Sequence, residues 1–287
     1  MYKKKMYSYT FLIPAGIIFT IFFLIPILIS FYYSLTVWNF DSATFCGLDN
    51  YIMLFEEEGL RKGLINTIVY AVLTSGLKVL IAFGLAIFLT SGIKTKNLLR
   101  SIVFFPNLVS AIAVGATFKA MMHPTKGIIN QFFEVIGING PNWLGNPDLA
   151  LYSIIGVDIW KGISISLVIF IAGIESVDKS YYEAAMMDGA TFWQRLKYIT
   201  IPLTTASRNT VIILSFIGGI RSFDLIWSMT GGGPGFATDV ISSIIYKQYA
   251  AGYYGLSTAG NVILLLFIVV LVFPLQKLLK KQEANVV

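Results

Sequence analysis

YYEAAMMDGATFWQRLKYITIPL, residues 181–203, is a polar and apolar patterned stretch set between two long apolar runs. Its spacing predicts two short helices. Ser180 with Glu183 has the spacing of a capping box, which starts the first helix, and Thr191 with Gln194 repeats it for the second. Gly189 supplies the left-handed position that ends the first helix. Pro202 is expected to hold Ile201 extended and so to mark the start of the next apolar run. The first helix offers a small flat surface at Ala184 and Ala185, flanked by Tyr181, Tyr182, Met186 and Met187, residues that suit close approach by a partner groove.

The surroundings of this stretch define the class. With 56% hydrophobic and 13% charged residues, the chain departs from the roughly 25% charged composition of soluble domains. Apolar runs at about 9–33, 64–90, 101–122, 150–175, 209–229 and 255–275 are each long enough to cross a bilayer once. The expected fold is all-α integral membrane, one membrane domain over 1–287 with six transmembrane helices and a cytoplasmic segment at 178–203. The first run follows Lys3, Lys4 and Lys5 as in a signal peptide. It is far longer than the apolar region of such a peptide and lacks a small-residue cleavage site, so it reads as an uncleaved span. One cysteine, Cys46, and one histidine, His123, offer neither a disulfide nor a metal cluster. The net charge of +6 comes from basic residues at the ends of apolar runs, a pattern that does not suit nucleic acid.

Orientation follows from the positive-inside rule. With the N-terminus in the cytoplasm, inner segments carry Lys3, Lys4, Lys5, Lys94, Lys96, Arg100, Lys179, Arg195, Lys197, Arg208, Lys277, Lys280 and Lys281. Outer loops carry only Arg61, Lys62, Lys126 and Lys247. Both termini and residues 178–203 are thus expected in the cytoplasm. A surface helix lying on the bilayer is one reading of that segment. Asp178, Glu183 and Asp188 argue instead for a protein partner, because anionic inner leaflets attract polybasic helices.

Ionisable residues inside apolar runs are costly and mark cavities or pairs. Asp158 with Lys161, and Arg221 with Asp224, are three apart and share a helical face, so each couple is expected either to pair internally or to meet a solute. Lys78 has no partner visible in the sequence, and Lys119 can snorkel. Trp160 beside Lys161 and Gly162, and Ser215 through Gly218, Gly219, Arg221 and Ser222, supply an aromatic face, hydrogen-bonding groups and space suited to a sugar. The Gly218-Gly219 pair reads equally as a packing or kink site. No phosphate-cradling GxxxxGK[ST] occurs, and Gly-Lys occurs nowhere, so the chain has no ATP site of its own.

Glu183-Ala184-Ala185, three residues, Gly189, nine residues, Ile199, then Ile201-Pro202 resembles the EAA signature of permease subunits in bacterial ABC importers. It departs once, with Ile201 in place of Leu. Gly47-Leu48-Asp49-Asn50-Tyr51, Asn66-Thr67 and Thr230-Gly231-Gly232-Gly233-Pro234 are similar to the carbohydrate-uptake branch, in its MalF/UgpA-like first-permease type. The resemblance implies a type I importer permease. Its partners would be a second homologous permease, two cytoplasmic ATPases that bind ATP and Mg, and an extracellular or periplasmic solute-binding protein facing the outer loops 34–63 and 230–254. It also implies that Glu183, Ala184, Ala185, Asp188 and Gly189 couple to the ATPase. The sugar would be held by Trp160, Gly162, Ile165, Ser215, Gly218, Gly219 and Ser222. Gly218 and Gly219 are smaller than the family's residues there, which leaves the sugar unnamed and glycerol phosphate or another small solute as an alternative. An ion-coupled transporter using Asp158 or Asp224, or a membrane scaffold, are the readings from other classes.

Overall fold

Charge-free runs become long helices because a bilayer leaves the backbone no other hydrogen-bonding partners. The computed structural model describes residues 9–39 and 41–284; Lys3, Lys4 and Lys5 lie outside them. Among the described residues, four helices are long and apolar enough to cross a membrane: Thr10–Ser34, Glu58–Thr90, Pro147–Glu175 and Tyr254–Glu283. They correspond to the expected first, second, fourth and sixth spans.

The third and fifth spans are not single rods. Lys96–Leu108 and Ala111–Met121 meet at 94°. Pro106 cannot donate a hydrogen bond within the first of these helices, and Val109 and Ser110 are extended at the corner. The fifth span runs over Thr205–Ile220 and stops short of residue 229, because Arg221 and Phe223 leave helical geometry before a separate helix, Asp224–Thr230. Its approach is bent too, by 66° between Phe192–Leu203 and Thr205–Ile220. Counting each bent pair as one crossing gives six.

Pro202 does not hold Ile201 extended. Ile201 is helical, at φ −61° and ψ −47°, and Pro202 lies in the first turn of Ile201–Leu203. A π turn over Leu196–Thr200 precedes it, and this wider turn admits the proline ring without ending the helix.

The chain forms two compact units. One joins the residues up to Glu57 with Ile244–Leu265; the other joins Glu58–Ser243 with the chain from Leu266 onward. In the first, Thr36–Trp38 pairs antiparallel with Ala43–Phe45, Val37 facing Thr44. Asn50 Nδ2 donates to the carbonyls of Ser34 and Thr36, each at 2.9 Å, and Tyr51 Oη donates to Ser34 Oγ at 2.7 Å. The Asn-Tyr of the 47–51 motif is therefore used to fasten the segment to the end of the first span.

In the second unit the Glu58–Thr90 helix packs against Pro147–Glu175 and Thr205–Ile220, while Lys96–Leu108 packs against Pro147–Glu175 and Ala111–Met121 against Asp224–Thr230. Two apolar clusters result. One contains Tyr70, Val114, Ile154, Val157, Ile226 and Met229; the other contains Ala82, Ala86, Leu89, Leu167, Phe170 and Val211. Lipid tails are as apolar as these side chains, so close van der Waals fit and small residues such as Ala82 and Ala86 hold the helices together. Asn209 Nδ2 donates to Leu279 O at 3.0 Å, tying the fifth span to the end of the sixth.

Candidate functional site

Residues 178–203 fold as two capped helices, with one correction at their start. The first helix is Lys179–Met187, and its cap is Asp178, whose Oδ1 accepts from Ser180 N at 2.9 Å. Ser180 and Glu183 form no capping box. Asp caps a helix as well as Ser does, and its charge also suits the positive N-terminal end, so the helix begins two residues earlier. The hydrogen bond donated by the Ser180 backbone holds the exposed Asp178 carboxyl below its ordinary pKa. Glu183 is left exposed.

Gly189 takes φ +74°, and the end of the helix is a Schellman motif: Ala190 N donates to Ala185 O at 2.8 Å and Gly189 N to Met186 O at 3.1 Å. The second capping box forms as its spacing predicts, with Thr191 N donating to Gln194 Oε1 at 2.7 Å and Gln194 N to Thr191 Oγ1. A hydroxyl contact of 3.0 Å between Tyr182 and Thr200 ties the two arms. Ala184, Met186, Asp188 and Gly189 are exposed, Ala185 is half-buried, and Met187 is 88% exposed. Trp193 adds a further exposed apolar face.

Inside the apolar region the pairing differs from the expected one. Asp158 does not pair with Lys161; its Oδ2 accepts from Lys78 Nζ at 2.6 Å, across the second and fourth spans, with side-chain exposures of 21% and 10%. The i, i+3 spacing placed Asp158 and Lys161 on one face, but a carboxylate in an apolar bundle gains more from a desolvated lysine on a neighbouring helix. Along the second span Lys78 lies between the cluster of Tyr70 and that of Ala82, whereas Asp158 on the fourth span lies between Val157 and Ile159 of the first cluster. A Cβ on Gly162 would come within 2.7 Å of Lys78 Cε and Nζ, so the space at this glycine belongs to the lysine rather than to a solute.

Gly219 is a packing site as well, since its Cβ would lie 2.6 Å from Ala71 Cα. Gly218, by contrast, faces open space. Arg221 and Asp224 form no ion pair. Phe223, at φ −142° and ψ −61°, breaks the helix between them, which cancels the shared face that continuous helical spacing would give. Both are exposed. Trp160 (47%) and Ile165 (49%) are also accessible, and Trp160 meets Phe118 edge to face at 5.3 Å. Lys161 and Ser222 are half-buried, and Ser215 Oγ lies 3.4 Å from Ser166 Oγ, linking the fourth and fifth spans. His123 Nδ1 accepts from the Lys126 and Thr125 amides at 3.2 and 3.3 Å, a turn-holding role.

The other motif residues interlock near the start of the second span. Asn66 Nδ2 donates to Asp239 O at 2.9 Å and Ala237 O at 3.1 Å, and Thr67 Oγ1 accepts from Ile241 N at 3.0 Å. Within the loop, Thr230 and Thr238 hydroxyls meet at 2.7 Å and Thr238 Oγ1 donates to Gly233 O at 2.8 Å, while Gly231 and Gly232 take φ +63° and +94°. Sequence reasoning marked these positions without joining them. Opposite charges on different spans were the available signal for Lys78 and Asp158.

Up to six crossings among the described residues, with an exposed pair of capped helices between the fourth and fifth, make this a multi-pass membrane protein. Residues 78–283 match the family described as "Binding-protein-dependent transport system inner membrane component", and the chain belongs to it. It is 30% identical over 276 residues to the trehalose/maltose transport system permease protein MalF of Thermococcus litoralis, covering 96% of this chain and 93% of that one. It is 30% identical to the arabinooligosaccharides transport system permease protein AraP of Bacillus subtilis, over 94% and 87% of the two chains. The multiple sugar-binding transport system permease protein MsmF of Streptococcus mutans is 30% identical over 98% and 97%. The fold matches a chain of a bacterial ABC transporter for the import of alginate with a TM-score of 0.81 and 24% identity, over 95% of this chain and 94% of that one.

Proposed function

We propose that the chain is the membrane-spanning permease subunit of an ATP-driven sugar importer in a bacterial cytoplasmic membrane. The observation that carries this reading is the coupling segment. A helix capped at Asp178 and closed at Gly189 presents Glu183, Ala184, Met186, Met187 and Asp188 outward, on the side that the basic loops assign to the cytoplasm. The sequence carries no P-loop, so the work of transport enters from ATPase subunits that hold ATP and Mg, through contact with these residues. A second permease completes the pore, and a solute-binding protein delivers the sugar at the outer loops.

Trp160, Ile165, Lys161, Ser215, Gly218, Arg221, Ser222 and Asp224 remain as candidates for the sugar route. Gly162 and Gly219 contribute through packing. Neutral di- or oligosaccharides suit the apolar and aromatic part of this set, and the relatives named for maltose, arabinooligosaccharides and multiple sugars support a carbohydrate. An anionic solute, such as a sugar acid or glycerol phosphate, is favoured by one observation: Lys161 and Arg221 are not neutralised by Asp158 and Asp224 as their spacing suggests. Co-purification with the neighbouring gene products, followed by ATPase assays over a panel of neutral and acidic sugars, tests partner and substrate together. Gradient-driven uptake by the chain reconstituted alone would overturn the proposal in favour of an ion-coupled carrier.

A further inference from the structure

Between the coupling segment and the inner ends of the second and fourth spans lies a cavity of about 700 Å³. Its wall carries three cations, Lys96, Lys179 and Arg195, and one acid, Glu175. That acid is already engaged: Glu175 Oε1 accepts from Arg100 Nη2 at 2.7 Å. Arg195 Nε is buried and has no hydrogen-bond partner, a costly state for a guanidinium nitrogen unless something else accepts from it. The first helix of the segment sorts its charges around this cavity. Lys179 and Tyr182 line it, whereas Asp178, Glu183 and Asp188 are exposed elsewhere.

The rest of the wall is two-sided. On one side the Thr90 and Ser91 hydroxyls donate to the carbonyls of Ala86 and Phe88, which leaves the cations as the donors to a ligand; on the other, Ile87, Ile174 and Leu196 supply an apolar flank that continues from the spans. A cluster of cations suits a tetrahedral oxyanion, because guanidinium and ammonium groups donate short, charge-assisted hydrogen bonds to phosphate oxygens. The apolar flank suits whatever is attached to that phosphate. The position, at the inner boundary of the apolar region, is where the headgroups of the cytoplasmic leaflet lie.

We infer that this cavity is a binding site for a phosphoryl group carried on an apolar or weakly polar body, with Arg195, Lys96 and Lys179 as its ligands. An inner-leaflet anionic phospholipid and a soluble phosphate compound share this chemistry. Because the cavity abuts the coupling segment, its occupant stiffens the joint between Tyr182 and Thr200.

The test uses the full chain in nanodiscs containing equal phosphatidylglycerol and phosphatidylcholine, with retained lipid read by native mass spectrometry. Phosphatidylglycerol should be enriched on the wild type, and the enrichment should fall about tenfold in Arg195→Gln, as loss of a charge-assisted hydrogen bond implies. Arg195→Lys should restore part of it. Lys179→Gln, at an exposed position, provides a second loss should Arg195→Gln fail to fold. If inorganic phosphate displaces the lipid, the site is confirmed with a soluble compound as its source; if it does not, the lipid is the source. Equal retention of the two lipids by the wild type with no phosphate binding, or full enrichment in both Gln variants, would overturn the inference.

Discussion

Lys78 in the second span and Asp158 in the fourth form a 2.6 Å ion pair, and Gly162, one turn beyond the aspartate, leaves the space that the lysine occupies. The three residues form one joint, in which a charge too costly to leave alone is admitted because a neighbouring helix lacks a side chain. The joint fixes which face of the fourth span meets the second, and it therefore leaves Trp160 and Ile165 on accessible faces.

Removing either charge alone should destabilise the protein by about 3 kcal/mol, since the partner is left buried and unpaired. Lys78→Met and Asp158→Leu should each lower the thermal midpoint in detergent, and the double variant should recover most of the loss. A double variant no better than the singles would refute the pairing as a stability unit.

The two adjacent glycines of the fifth span should behave oppositely. Gly219→Ala drives a methyl toward the Ala71 backbone and should cost about 1–3 kcal/mol, as overpacking does. Gly218→Ala meets open space and should leave the midpoint unchanged or slightly raised. Comparing the two melting curves checks this.

Position 189 needs φ +74°, which Asn tolerates and β-branched residues do not. Gly189→Asn should retain most ligand-stimulated ATPase of the assembled importer. Gly189→Val, at a local cost of about 1–2 kcal/mol, should abolish most of that stimulation while membrane expression persists. Equal stimulation in the two variants would remove Gly189 from the coupling role.

Asp178 gives a pH prediction. Its folded pKa is depressed, so the cap contributes above the ordinary carboxylate pKa of about 3.9 and is lost as pH falls through the lower folded value. Acidification from pH 7 to pH 5 should leave the coupling helix capped. Amide hydrogen exchange at Ser180 should therefore stay protected across that range in the wild type and lose protection at every pH in Asp178→Ala.

Trp160→Ala should raise the KM for sugar uptake about tenfold, the scale of a lost aromatic contact, with folding intact. Trp160→Phe should recover part of the affinity. An unchanged KM in Trp160→Ala would place the sugar route elsewhere.

How much of this was legible in the sequence depends on the range of the interaction. The second capping box and the left-handed Gly189 involve residues within a few positions of each other, and both form as their spacing predicts. Asp178 took the first cap because two good capping residues lay within one turn, and composition alone does not rank them. The span count follows from hydropathy, but the 94° corner after Pro106 and the helix break at Phe223 depend on tertiary packing. Of the two readings of Arg221 and Asp224, the internal pair is excluded by that break, because spacing arguments assume an unbroken helix. Lys78 with Asp158 lies eighty positions apart, beyond any local pattern.

Asn66 holds the carbonyls of residues 237 and 239, and Thr67 holds the amide of Ile241, so the 230–241 loop is anchored by a helix that precedes it by well over a hundred residues. The loop is thus not a portable specificity cassette. A chimera that transplants 230–241 from another permease will inherit its shape only if Asn66 and Thr67 travel with it, and loop exchanges that fail for lack of those two residues will mimic a loss of binding-protein recognition.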